Sequence, residues 1–163
     1  MKHLIIRTDI KKKLKDARII VVDSNIFASE LDNRTIDELI EILADRDLGH
    51  ILNGKMKLVL YSNNNNGKHR YESWNKDIIY KYLNGMAFGD FIDEICAMKN
   101  VSARNIVLIN SIVCDRGELS RVGFSASPVD APLNVKSNSY YSSNMSGAGA
   151  FSEIVDLILK SRS

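Results

Sequence analysis

The sequence predicts a three-layer α/β protein: a mostly parallel central sheet with helices on both faces. Two observations carry that expectation. Three short apolar, β-branched runs, Arg18–Val22, Lys57–Tyr61 and Asn105–Ile109, are each followed by a polar loop and then by helix-like periodicity. Unbroken apolar runs suit strands buried on both sides, and the alternation of strand with helix suits parallel crossovers. Also, the 163 residues hold no internal repeat and no Pro- or Gly-rich linker, so residues 1–163 are expected to form a single domain.

Taken in order, the first feature is Lys11-Lys12-Lys13-Leu14-Lys15, the only basic cluster. It has no aromatic neighbours and is expected to be a solvated helix face. The first strand, Arg18–Val22, ends on Asp23. Thr35 caps a helix through "IDELIEILADRD", residues 36–47, where Ile36, Leu39, Ile40 and Leu43 share one stripe. The second strand, Lys57–Tyr61, leads into "SNNNNGKH", residues 62–69, whose Asn and Gly favour a surface loop. "RYESWNKDIIYKYL" (70–83) and "DFIDEICAMKN" (90–100) show helical stripes; Tyr71, Trp74, Tyr80 and Tyr82 then fall in core and on helix surface. Ser102 opens a turn into the third strand, Gly123–Ala126 adds a fourth, and "GAFSEIVDLILKS" (149–161) closes the chain as a helix.

Composition narrows the function. A net charge of +2 with 26% charged residues argues against a nucleic-acid partner or an anionic membrane surface. No apolar segment approaches bilayer length and no signal-peptide core is found, so a cytoplasmic protein with no membrane partner is expected. Cys96 and Cys114 offer neither a disulfide framework nor metal spacing, and Cys96 falls on an apolar helical face. His3, His50 and His69 are scattered, without metal-ligand spacing. In a doubly wound sheet, sites form outside the carboxyl ends of the strands. That places attention on Asp23–Asn25, Ser62–Asn63 and Asn110–Asp115.

At these strand ends the chain resembles the haloacid dehalogenase (HAD) superfamily, from about Leu14 to Arg162. It is most similar to the capless 3-deoxy-D-manno-octulosonate 8-phosphate (KDO8P) phosphatases, and also to the C-terminal domain of CMP-sialic acid synthetases. The segments that carry this are "DRDLGHILNGKMKLVLYSN" (45–63) and "VGFSASPVDAPLNVKSNSYYSSNMSGAGAFSEIVDLIL" (122–159). The resemblance implies a Rossmann-like HAD fold with no large cap domain. It implies an aspartate nucleophile, a second aspartate as general acid/base, and Mg²⁺ held by carboxylates.

Against that pattern, Asp23 matches the nucleophile, although a strand-end aspartate also commonly caps a turn. Asn25 takes the acid/base position, and an amide has no proton to shuttle near neutral pH. Ser62 matches the phosphate-binding hydroxyl, with Asn63 beside it. The expected Lys is missing from Met86-Ala87-Phe88-Gly89, and Lys81 is off register. In the third-strand motif Ser111 and Ile112 replace acidic residues and only Asp115 survives, so the metal set shrinks to Asp23, Asn25 and Asp115. Ala148 stands where the family's Arg holds a substrate carboxylate, a charge-assisted contact alanine cannot make. The Gly147-Ala148-Gly149-Ala150 run resembles a phosphate cradle only in being Gly-rich at a helix start.

The sequence thus points to a catalytically inactive or severely impaired phosphatase-like domain with an assembly, regulatory or binding role, connected to sialic acid or KDO-type nucleotide-sugar metabolism. No cofactor is expected in that case. The expected partner is a second copy, in a tetramer by family resemblance, or a catalytic partner protein, with residues 28–43 as the interface. The alternative is a Mg²⁺-dependent phosphatase acting on a sugar-acid phosphate or other small monoester, with Asp23 as nucleophile.

Overall fold

The computed structural model describes residues 7–27, 56–62, 72–75 and 78–162. Seven strands form one sheet in the order β3-β4-β2-β1-β5-β6-β7. They are β1 (Ile19–Asp23), β2 (Lys57–Ser62), β3 (Glu72–Asn75), β4 (Ile78–Tyr82), β5 (Ile106–Ile109), β6 (Phe124–Ser127) and β7 (Tyr141–Ser142). All neighbours run parallel except β3, which pairs antiparallel with β4 at one edge. The α/β class read from the apolar runs is the observed one.

The central strands are buried on both faces, and their side chains alternate between two apolar layers. Ile20 and Val22 of β1 join Leu58, Leu60, Val107 and Ile109 in the first layer. Helix α1 (Thr8–Leu14) closes it with Ile10 and Leu14, and α5 (Gly147–Ser161), which follows the short α4 (Leu133–Asn138), with Phe151, Ile154, Val155 and Ile158. Ile19 and Val21 point to the other layer, beneath α2 (Phe88–Lys99) and α3 (Arg116–Arg121). There Phe91, Ile92 and Ile95 of α2 and Leu119 of α3 cover the sheet. Cys96 is half-buried and packs against this second layer, as its helical stripe required.

The basic cluster falls on α1, with Lys11, Lys12 and Lys13 exposed and Leu14 buried, so the amphipathic reading holds. Ser102 forms a capping box with Asn105 across the short turn that starts β5. Helix α2 ends where Asn100 adopts a left-handed conformation, φ 54°, a backbone state that Asn tolerates better than most residues.

One expectation is corrected. The helix expected over residues 70–83 is a pair of strands, β3 and β4. Ile78, Ile79, Tyr80 and Tyr82 are β-branched or aromatic residues that suit a pleated surface, and β4 pairs along its whole length with β2, from Leu58↔Ile78 to Ser62↔Tyr82. Tyr80 therefore lies buried in the sheet, and Tyr82 is half-buried on β4 rather than on a helix. The two-residue β7 also went unforeseen; so short a run has no periodicity to read. The helix at 36–47, the interface at 28–43, His3, His50, His69, Tyr71 and Asn63 fall outside the described residues.

Candidate functional site

Strand order changes direction at β1: successive strands step outward through β2 and β4 on one side and through β5 and β6 on the other. A crevice opens at such a switch point, outside the carboxyl ends of β1 and β5. Asp23 closes β1 on one side of it. Asn110 and Ser111 follow β5 on the other.

The Asp23 side chain is buried, 0% exposed. Its Oδ1 accepts from the Asn25 backbone N–H at 2.9 Å, a tight local turn. Its Oδ2 accepts from the Ser111 hydroxyl at 3.3 Å, with the Ser111 N–H at 3.5 Å. Burial pushes the Asp23 carboxyl above the usual carboxylate range, and these donors only partly oppose the shift. Both oxygens are thus engaged by the chain's own donors, and Ser111, which stands where the resemblance expects an acid, is one of them.

Beside Ser111, Asn110 is fully buried and folds the loop over itself. Its Oδ1 accepts from the Ile112 and Val113 N–H groups at 2.8 and 2.5 Å. Ile112 is left exposed at the rim. Asp115 leaves the crevice altogether: it is the exposed N-cap of α3, its Oδ1 accepting from the Glu118 N–H at 3.2 Å. That side chain satisfies one of the helix's orphan donors. Asn25 is exposed, and the contact it makes to Asp23 is through its backbone.

On the second strand, Ser62 is buried at the end of β2. The Tyr80 phenol lies beside the Ser62 and Ser24 hydroxyls, which temper the upward push of its burial. Tyr61 precedes Ser62 and is paired in register with Asp23, so both side chains emerge on the α2/α3 face. Tyr61 packs on Phe91 and Phe88 with centroids 5.2 and 5.9 Å away, and those two rings lie 6.1 Å from each other. Its hydroxyl is buried without a hydrogen-bond partner among the described residues, and burial, then the nearby Asp23 charge, holds its pKa well above the usual phenol value.

Phe88 belongs to the stretch where the resemblance expects a lysine, so an aromatic wall stands at that position. Lys81 lies on β4 with its Nζ bound to Glu94 Oε1 at 2.7 Å. At the start of α5, Gly149 is covered by Met145, whose Cε would lie 3.1 Å from an added Cβ. The edge-to-face pair Phe27–Phe151 ties this helix to the turn after Asp23.

The structure therefore brings Asp23, Ser62 and Ser111 to one end of the sheet and turns Asp115 away. Among the described residues, no three carboxylate, imidazole or thiol groups gather into a metal-binding set. Among the described residues the strand ends bring together a single buried carboxylate, Asp23, whereas a hard divalent cation takes several oxygen ligands at once. Sequence reasoning missed the Tyr61 wall and the holding role of Ser111. Strand parity from Val21 and Val59 was the available signal for Tyr61.

No family model and no curated protein matches the chain by sequence. Solved structures match its fold. A hypothetical protein from Xanthomonas campestris aligns with a TM-score of 0.74 at 13% identity, over 99% of this chain and 93% of that one. The KDO8P phosphatase from Yersinia pestis aligns at 0.66 and 15% identity, over 96% and 88%. The KDO8P phosphatase from Moraxella catarrhalis, solved with magnesium, phosphate and KDO, aligns at 0.65 and 15% identity, over 96% and 94%. The fold is that of the HAD-type KDO8P phosphatases, the resemblance read from the strand-end motifs.

Proposed function

We propose that this chain is a catalytically lapsed phosphatase-like domain retained for an assembly or regulatory role. The observation that carries the reading is the state of Asp23. A nucleophile must present a free oxygen to phosphorus, whereas here both oxygens accept hydrogen bonds inside the protein and the side chain is sealed from solvent. The supporting groups are displaced as well. Asn25 lacks a transferable proton, Phe88 stands in the lysine stretch, and Asp115 is spent on a helix cap. Loss of general acid/base catalysis alone ordinarily costs about two to four powers of ten in rate.

The role that remains is binding: to further copies of the chain or to a catalytic partner protein. A connection to KDO- or sialic-acid-type nucleotide-sugar metabolism follows from the family resemblance. No resident Mg²⁺ belongs to this reading, because the described residues gather no set of carboxylates to hold one.

The test is phosphate release from a panel of sugar phosphates in excess Mg²⁺, comparing the intact chain with Asp23→Ala, alongside the mass of the chain in solution. Background rates from both proteins, with a mass above that of one chain, are the expected result. Release that disappears in Asp23→Ala would overturn the reading in favour of a Mg²⁺-dependent phosphatase.

A further inference from the structure

A second polar region lies away from the strand ends. A cavity of about 260 Å³ opens between α3, the start of β6 and the segment leading into β7. Its floor is apolar, with Leu119, Val122 and Phe124, and Tyr140 forms one wall. Strand β7 pairs only with Ala126 and Ser127, so it does not extend down to cover the Phe124–Ser125 edge.

Two cations line this space, Lys13 from α1 and Arg116 from the first turn of α3, and among the described residues no carboxylate lines it, the Asp9 carboxylate instead holding the Tyr140 hydroxyl. The Lys13 ammonium sits over the Tyr140 ring, 4.5 Å from its centroid. Arg116 donates its Nε to Asn138 Oδ1 at 3.2 Å, which orients the guanidinium while leaving its two terminal nitrogens. No carboxylate among the described residues pairs with either cation. Elsewhere Arg7, Lys81 and Arg121 are all held by acidic side chains at 2.5–2.7 Å.

The cavity also carries a buried hydroxyl. Ser125 is 3% exposed, and its Oγ accepts from the Tyr140 N–H at 2.9 Å. An accepting hydroxyl still has its own proton to give. That proton has no acceptor among the described residues.

We propose that this cavity binds a small organic oxyanion, a carboxylate or phosphate ester on a compact apolar body. Two unpaired cations recognise the oxygens by charge-assisted hydrogen bonds, Arg116 in the forked geometry such groups match. The Ser125 hydroxyl supplies a neutral donor, and Phe124 and Tyr140 receive the apolar part. The volume lies just below the roughly 300–1,000 Å³ of pockets that take drug-sized ligands, so the ligand is metabolite-sized. This site is independent of the Asp23 crevice and of whether that crevice turns over phosphate.

The experiment is a titration of the ¹⁵N-labelled full chain, followed by amide shifts, with inorganic phosphate in one arm and propionate in the other. Saturable shifts at Gly123, Phe124, Ser125 and Tyr140 are expected, and the arm that saturates at lower concentration identifies the oxyanion. Lys13→Gln and Arg116→Gln are each expected to weaken binding about tenfold, as the loss of one hydrogen bond to a charged group does. Both residues are exposed, and the spectrum of each variant reports directly that it has folded. Absence of saturation at these amides, saturation confined to Asp23, Asn25 and Ser62, or unchanged affinity in both variants would overturn the proposal.

Discussion

At the carboxyl ends of β1 and β5, a buried carboxylate is surrounded by donors from its own chain. At the β6 edge, two cations stand over a cavity, and no carboxylate among the described residues pairs with either. The first region lies where this fold class concentrates ligand sites, yet its carboxylate is buried and accepts from the Asn25 N–H and the Ser111 hydroxyl. The second lies off the switch point and keeps its charges available. The difference teaches that location in a fold identifies where to look, whereas hydrogen-bond accounting decides what is left to bind.

The comparison can be broken or sharpened by substitution. The largest effect is expected from Phe151→Ala. It removes a fully buried ring and its edge-to-face contact with Phe27, on the turn that follows Asp23. Loss of about 3–5 kcal/mol in urea unfolding is expected, as for other buried aromatic truncations. A much smaller loss would mean that the Asp23 turn is held by something other than this pair.

Gly123→Ala tests the cavity's own scaffold. An added Cβ would lie 2.0 Å from the Arg104 carbonyl oxygen, a backbone atom that cannot swing aside. A loss of roughly 1–3 kcal/mol is expected from such overpacking, with the amide shifts of β6 displaced. A variant of unchanged stability would show that β6 starts elsewhere.

Asp115→Ala separates a helix cap from a metal ligand. Loss of the bond to the Glu118 N–H should cost about 1 kcal/mol of stability. The melting temperature of the intact chain should be indifferent to Mg²⁺. A Mg²⁺-dependent rise in melting temperature that Asp115→Ala abolishes would return Asp115 to a metal site.

The subtlest effect is a slope. Burial raises the Asp23 pKa in the folded chain, so the folded state binds the proton more tightly than the unfolded state does. The stability this group contributes is full below its unfolded pKa and is lost as pH rises through the folded one. Relative to Asp23→Asn, the wild-type urea midpoint should therefore fall as pH rises above the unfolded carboxylate value of about 4. Parallel midpoints across that range would show that the carboxylate is well solvated, and the contrast with the β6 cavity would dissolve.

The sequence by itself determined the layered α/β class, three of the central strands and the closing helix. Continuous apolar runs and stripes are local signals, and β1, β2, β5 and α5 are long or apolar enough to carry them. Set against the family it resembles, residue identity alone also marked Asn25, Ile112 and Ala148 as departures from the expected acid/base, carboxylate and guanidinium. Only the tertiary structure decided that residues 72–75 and 78–82 are strands, because their pattern suits either element until β2 offers an edge to pair with. Only it turned Asp115 outward as a cap and brought Ser111 across 88 positions of sequence to Asp23. Likewise, Lys13 of α1 and Arg116 of α3 line one cavity although they lie far apart in sequence. Side-chain partners set by strand order and helix packing are long-range quantities, and no local window of the sequence contains them.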